Sequence, residues 1–459
     1  MHIHLNGKKL TFFNVLLITF TANFGIRWLS VAGGIGPSSL LFWVIGAVVF
    51  LLPLSIISAH LSDVYPKEGG IYAWTKEVLG EKHSFLIAWF YWVNNLFFYP
   101  AILIFLASNF AYFIGKPELA SNIKYVTIIS LVFFWIVVFF SLIGIRASKN
   151  IISWGGIIGG IAPVVLLIVF ALYLLFTGHS SATTFSISTM KPSHAIMDNI
   201  SSLAILMFAM AGIEVIPTFA NSVRNVKKDL HLGLMVGALV LFALYFAGTC
   251  AMNVIATPES IQKASGVINT FSLIDDKLGL HFITQIVAGA LIFAEYAGLT
   301  VWIIAPVVMF FKCTPRGILP DWLHKTNSND TPSNAIIFQG MIVTIIILLT
   351  NLIQNVNSIY QALIIMTTVL YFLPYTILAV VYIKSKALNK YNIYLRYTLA
   401  TLLMLSVLLG IIISFVPSPD LKTNHDIIIY ECEIFFGPLF FILLGFIIGN
   451  KRKHIWHKG

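Results

Sequence analysis

Runs of about twenty apolar residues recur along the whole chain, and a run of that length is what an α-helix needs to cross the hydrocarbon core of a bilayer. Leu40–Leu61, Val126–Gly144, Gly156–Phe176, Ala335–Thr350 with its flanks and Leu399–Val416 are the clearest. Of the 459 residues, 58% are hydrophobic and 10% charged, where a soluble globular protein carries roughly 25% charged residues. Such a chain cannot cover itself in water, and membrane embedding is the economical outcome. Twelve spans are expected, at approximately 10–34, 39–61, 84–114, 122–144, 153–177, 196–222, 232–256, 281–311, 334–354, 357–383, 393–416 and 430–449. The first apolar stretch, Leu10–Phe24, lacks a small-residue cleavage site and is expected to stay as a helix rather than leave as a signal peptide.

A net charge of +10 raises the question of an acidic partner such as nucleic acid, and its distribution answers it. With loops assigned to alternate sides, 21 lysines and arginines fall on one side and 6 on the other; Arg27, inside a span, completes the total of 28. This is the positive-inside pattern, which places both termini in the cytoplasm and requires an even number of spans. The basic excess is topological, and no nucleic-acid partner is expected. Cys250, Cys313 and Cys432 are odd in number and far apart, which suggests free thiols rather than a disulfide framework.

Two spans depart from the ordinary apolar pattern. The first contains Asn23-Phe24-Gly25-Ile26-Arg27-Trp28, and the sixth Phe208-Ala209-Met210-Ala211-Gly212-Ile213-Glu214-Val215-Ile216-Pro217. Glycine disfavours helix and Pro217 removes a backbone donor, so both stretches are candidates for unwinding. Gly25-Ile26-Arg27 and Gly212-Ile213-Glu214 head the two halves of a five-plus-five arrangement, 1–9 being a cytoplasmic N-terminus, 10–177 a first repeat, 196–383 a second, 393–449 two further spans and 450–459 a cytoplasmic tail. Interrupted segments at corresponding places in two halves point to a transporter site at an inverted-repeat interface.

Arg27, Glu214 and Glu295 are the ionisable residues that fall well inside the apolar spans. Each costs about 2.5–3.5 kcal/mol at a helix centre, so each needs a partner or a wet cavity. One reading has Arg27 and Glu214 facing each other across the two breaks, with Glu214 exchanging a proton; others are a static ion pair, or an Arg27 that snorkels to a surface. Glu295 reads equally as a second proton site or as an internal pairing partner. An unwound helix also leaves backbone donors and acceptors free inside the membrane. The donors suit a carboxylate and the carbonyls an ammonium group, which together describe an amino acid. Phe24, Trp28, Phe208 and Trp302 could close over a ligand or simply pack. The run Gly155-Gly156-Ile157-Ile158-Gly159-Gly160 is expected to permit close helix contact. There is no GxxxxGK[ST] phosphate loop, and the histidines form no metal or nucleophile set. Neither an enzyme nor a cofactor is expected.

The segment from Tyr65 to Trp74, YPKEGGIYAW, with Leu79-Gly80 after it, resembles the cytoplasmic P-x-x-G-G-x-Y-x-W…G segment of the amino acid–polyamine–organocation superfamily. Gly212-Ile213-Glu214, Arg224-Asn225-Val226, Gly317-Ile318-Leu319-Pro320 and Thr331-Pro332 are similar to further family segments, and EGGIYAWTKEVLG, SGVINTF and ISFVPSP look like its glutamate/GABA exchanger branch. The resemblance implies an all-α integral membrane protein of the LeuT-type inverted-repeat fold, with helices 1 and 6 broken and alternating access. It puts Asn23, Phe24, Gly25 and Ile26 at one substrate-binding break. Ala211, Gly212 and Ile213 fall at the other, Phe208 where a gating aromatic lies and Trp302 near substrate. Glu214, with Arg27 and Glu295, is assigned to proton coupling or gating. The expected function is a secondary amino-acid permease or amino acid/amine antiporter, multi-pass in a bacterial inner membrane, with a small amino acid or amine as substrate and the lipid bilayer as partner. The alternatives are a polyamine carrier of the same fold, a channel, or a transporter-like nutrient receptor.

Overall fold

A backbone inside hydrocarbon has no water to bond, so an apolar run of twenty residues resolves its N–H and C=O groups by becoming helix. The computed structural model, which describes residues 10–66, 70–143, 155–190, 200–280, 282–312, 314–328, 331–350, 355–417 and 424–451, follows that rule. Its main helices are α1 (Phe12–Asn23), α2 (Trp28–Ile35), α3 (Ser39–Val64), α4 (Gly70–Leu79), α5 (Glu81–Phe113), α6 (Ile123–Ile143), α7 (Ala162–Phe176), α8 (Ile200–Ala209) and α9 (Val226–Ile255). They continue with α10 (Gly266–Leu278), α11 (Ile283–Val307), α12 (Ser333–Leu349), α13 (Val356–Lys384), α14 (Ile393–Ile413) and α15 (Asn424–Lys451). Among the described residues ten helices are long and apolar enough to cross a membrane, and α12 is a shorter apolar one. The first expected span is divided between α1 and α2, neither long enough to cross alone.

Burial sorts these helices into an inner and an outer set. The apolar stretches of α5 and α13 are 89% and 78% buried, whereas those of α6 and α7 are 33% buried and that of α15 is 22%. The outer helices expose Phe139, Phe176 and Phe440, the arrangement expected when lipid rather than water is the surrounding solvent. α5 packs along α13 and α11, and α13 along α8, while the two short helices α1 and α2 lie mainly against α9.

The connection after the second span carries α4, which is amphipathic and buries Ile71 and Trp74. Between Thr257 and Leu280 lie a 3₁₀ turn at Pro258–Ser260 and α10. Of the three cysteines, Cys250 and Cys432 are free; Cys313 lies outside the described residues, as do Gly69, the whole N-terminal segment 1–9 and most of the tail.

Candidate functional site

Phe24 closes α1 by donating its N–H to Phe20 O at 2.8 Å, and the chain then runs extended through Phe24 (φ −77°, ψ 118°). Helix resumes through short i→i−3 bonds, Trp28 to Gly25 O at 3.1 Å and Leu29 to Ile26 O at 3.0 Å. The second break follows Ala209: Met210 and Ala211 tighten onto Met207 O and Phe208 O, Gly212 turns to φ +102°, and the chain leaves as a 3₁₀ segment, Ile213–Ser222, that contains Pro217. The two breaks touch. A Cβ on Gly212 would lie 2.2 Å from Asn23 Oδ1, so the absence of a side chain there is what lets them meet.

Backbone groups released by the breaks are satisfied by tyrosine. Tyr245, on α9, accepts the Gly25 N–H at 3.1 Å, and its hydroxyl lies within donating distance of Asn23 O (3.2 Å) and Ala209 O (3.1 Å). One hydroxyl therefore bridges both breaks. Its ring is fixed between Trp43, stacked at 4.6 Å, and Phe24 at 5.0 Å. At the second break Gly212 N–H donates to Tyr375 Oη at 3.2 Å and to Glu214 Oε2 at 3.1 Å.

Between the breaks lies a cavity of about 120 Å³, comparable with an apolar cavity of ~150 Å³ that admits benzene. Its room suits a small molecule. Asn23, Phe24, Gly25, Ile26, Arg27, Phe208, Ala211, Gly212, Glu295 and Trp302 all line it. Ile213 and Glu214 do not, because the turn at Gly212 carries them behind the wall. Trp28, Phe98, Phe208, Trp302 and Tyr371 make an aromatic enclosure in edge-to-face contacts, among them Trp28–Phe208 at 5.4 Å and Phe208–Tyr371 at 5.3 Å. Such contacts fix ring orientation as well as burying area. Trp28 and Trp302 are thus both packed and lining.

The charges pair differently from the reading that joined Arg27 to Glu214. Arg27 Nη1 donates to both oxygens of Glu295, at 2.8 and 3.0 Å, with the side chains about nine-tenths buried. The guanidinium also lies over Trp28 at 4.6 Å and Phe98 at 5.1 Å. Glu214 is wholly buried and takes hydroxyls instead: Tyr91 from α5 and Tyr371 from α13 (3.1 Å) both donate to its Oε1. The cause is the break itself, which turns Glu214 toward α5 and α13 while Glu295, on α11, faces the cavity.

Several participants have no counterpart among the expected residues: Tyr91, Tyr245, Tyr371, Tyr375, Asn94, Asn95 and Phe98. The Asn94-Asn95 doublet in the middle of an apolar span was a readable signal, since buried amides inside a membrane need partners. Both line the cavity, and Asn95 Oδ1 is a buried acceptor with no hydrogen-bond donor among the described residues. The tyrosines carried no such mark, because tyrosine is also ordinary at membrane interfaces. The glycine run expected to permit close packing does so. A Cβ on Gly159 would meet Ala290 O at 2.3 Å and Ala294 Cβ at 2.2 Å, so the π-helical turn Gly156–Ile161 leading into α7 presses directly on α11.

The family model described as amino acid permease matches residues 10–443. An uncharacterized transporter of Legionella pneumophila is 24% identical over 455 residues, covering 97% of each chain. A protein of Lactococcus lactis named a probable agmatine/putrescine antiporter is 23% identical, over 98% of this chain and 97% of its own. A glutamate/gamma-aminobutyrate antiporter of the same species is 22% identical, over 98% of this chain and 92% of its own.

Proposed function

The chain belongs to the amino acid permease family of the amino acid–polyamine–organocation superfamily, and from that premise we propose that it moves an amino acid or related amine by alternating access around the cavity between the two helix breaks. It is a multi-pass membrane transporter, not an enzyme. The site assignment is carried by one observation: the two interrupted helices meet at a single cavity whose lining combines broken backbone, an aromatic enclosure and a buried charge pair. A static pore has no need of paired breaks held by one shared hydroxyl. Alternating access does, because each break gives a half-helix that can tilt while the other half stays packed.

The twelve-span, inverted-repeat organisation and the cytoplasmic placement of both termini are part of this proposal. The charge asymmetry supports the orientation, and the bacterial relatives support a bacterial inner membrane. Proton linkage we assign to Glu214. Among the described residues no salt bridge reaches it, and its oxygens are held by neutral hydroxyls and one amide, so no fixed cation dictates its charge. Tyr371 lines the cavity and also donates to Glu214, giving the carboxylate a one-residue connection to the substrate space.

The test is uptake into proteoliposomes from a panel of labelled amino acids, agmatine and putrescine, with and without internal counter-substrate and with imposed proton or sodium gradients. Uptake or exchange of at least one member is expected, and none across the panel would overturn the transport reading. Glu214→Gln is expected to flatten the pH dependence of uptake; an unchanged rate and pH profile removes the proton role from this residue.

A further inference from the structure

Among the described residues Arg27 and Glu295 are the charged ones in the cavity wall, and they are bound to each other. The two are not held alike. The Arg27 guanidinium lies against two aromatic faces, Trp28 and Phe98, and its Cζ comes within 3.2 Å of where a Cβ on Gly25 would stand. It is pinned over the first break by groups that would remain if its carboxylate partner left. Its Nε, buried, has no hydrogen-bond acceptor among the described residues, so the guanidinium fork is not saturated by Glu295. The hydrogen bonds to the Glu295 carboxylate come from Arg27. Beside it, one turn along α11, a Cβ on Gly298 would meet nothing within 4 Å, which leaves space for the glutamate to turn. Asn95, which also lines the cavity, has its buried Oδ1 without a donor among the described residues.

We infer that the Arg27–Glu295 pair is an exchangeable latch that selects net-neutral zwitterions: the ligand's carboxylate displaces Glu295 on the guanidinium, and the released Glu295, with Asn95, takes the ligand's ammonium group. This rests on reading the cavity as the transport site. The argument is one of charge count in a poorly solvated space. A zwitterion converts one buried ion pair into two and leaves no charge alone, and the planar guanidinium takes a carboxylate through parallel bonds. A dication such as putrescine offers nothing to Arg27 and faces it as a like charge. A ligand of net charge −1 leaves one carboxylate without a cation. Removing one partner of a buried pair is strongly unfavourable, so both are selected against, and discrimination comes as much from repulsion as from attraction.

The experiment measures ligand-induced shifts in melting temperature of the purified full-length protein, and competition for uptake in proteoliposomes, using γ-aminobutyrate, alanine, glutamate and putrescine as probes. Wild type is expected to prefer the zwitterions over putrescine and over glutamate by at least about tenfold. Glu295→Gln leaves Arg27 uncompensated and should move preference toward glutamate; Arg27→Gln should move it toward putrescine. Arg27→Lys keeps the charge without the fork, so it should keep the zwitterion preference with about tenfold weaker binding. A purely structural pair would weaken all probes together, and an unchanged order of preference in the folded variants overturns the latch while leaving the transport reading intact. Wild type that prefers putrescine or glutamate to both zwitterions overturns it without any variant, whatever the stability of the mutants. Wild type that neither binds nor moves any probe removes the transport reading as well.

Discussion

Gly212 sits at φ +102° with Asn23 Oδ1 where its side chain would be, so an alanine there meets two obstacles of different kinds. The left-handed backbone costs an L residue about 1–3 kcal/mol, and the clash at 2.2 Å forces the two breaks apart. Gly212→Ala is expected to lower thermal stability by about that amount and to cut uptake more than tenfold. Adding Asn23→Ala should restore part of the stability, since it removes the clash and not the backbone strain. Melting curves and uptake on the single and double variants check this, and a single variant with wild-type stability would mean the breaks do not need this contact. Gly212 was legible because a glycine two residues before a glutamate in the middle of an apolar span has few structural uses. The partner of Arg27 was not. Which carboxylate faces the cavity depends on how far the chain rotates in leaving each break, and residue type carries no information about that rotation.

The wall that presents Glu295 is set one level up, by the contact between α11 and the turn leading into α7. Gly159 permits that contact because its missing Cβ would lie 2.3 Å from Ala290 O, and a backbone atom cannot step aside as a side chain can. Gly159→Val should therefore push α11 outward, carrying Glu295 away from Arg27, and lower stability by about 1–3 kcal/mol as an overpacked seam. Gly160 is the internal control for stability: a Cβ there meets nothing nearer than Phe24 Cδ1 at 3.9 Å, so Gly160→Ala should melt nearly as wild type, melting being the comparison because Gly160 itself lines the cavity. Equal loss of stability in the two variants would refute the seam. Elements of this kind were readable from the sequence, since apolar length fixes where helices run and a glycine run marks where two can approach. What stayed hidden was how the breaks are satisfied. Tyr245 is about 220 residues from Gly25, and a hydroxyl that bridges two distant segments leaves no local periodicity to detect.

Across the whole molecule, the side proposed for each loop rests on the uneven placement of lysine and arginine, because cytoplasmic loops retain basic residues that resist translocation. The expected orientation puts Lys227 and Lys386 in the cytoplasm and Lys116 and Glu259 outside, all four at exposed positions. With the native cysteines replaced, single cysteines at Lys116 and Glu259 should react with a membrane-impermeant maleimide in intact cells, and those at Lys227 and Lys386 only after permeabilisation. Substrate protection adds a second reading, since a molecule that alternates should lose reactivity on one side as it gains it on the other when substrate is supplied. The opposite labelling pattern would invert the topology and with it the direction in which any gradient drives transport. Mixed labelling at one position would instead mean that the charge bias is too weak to orient the chain. The basic residues outside the membrane would then need another explanation than topology.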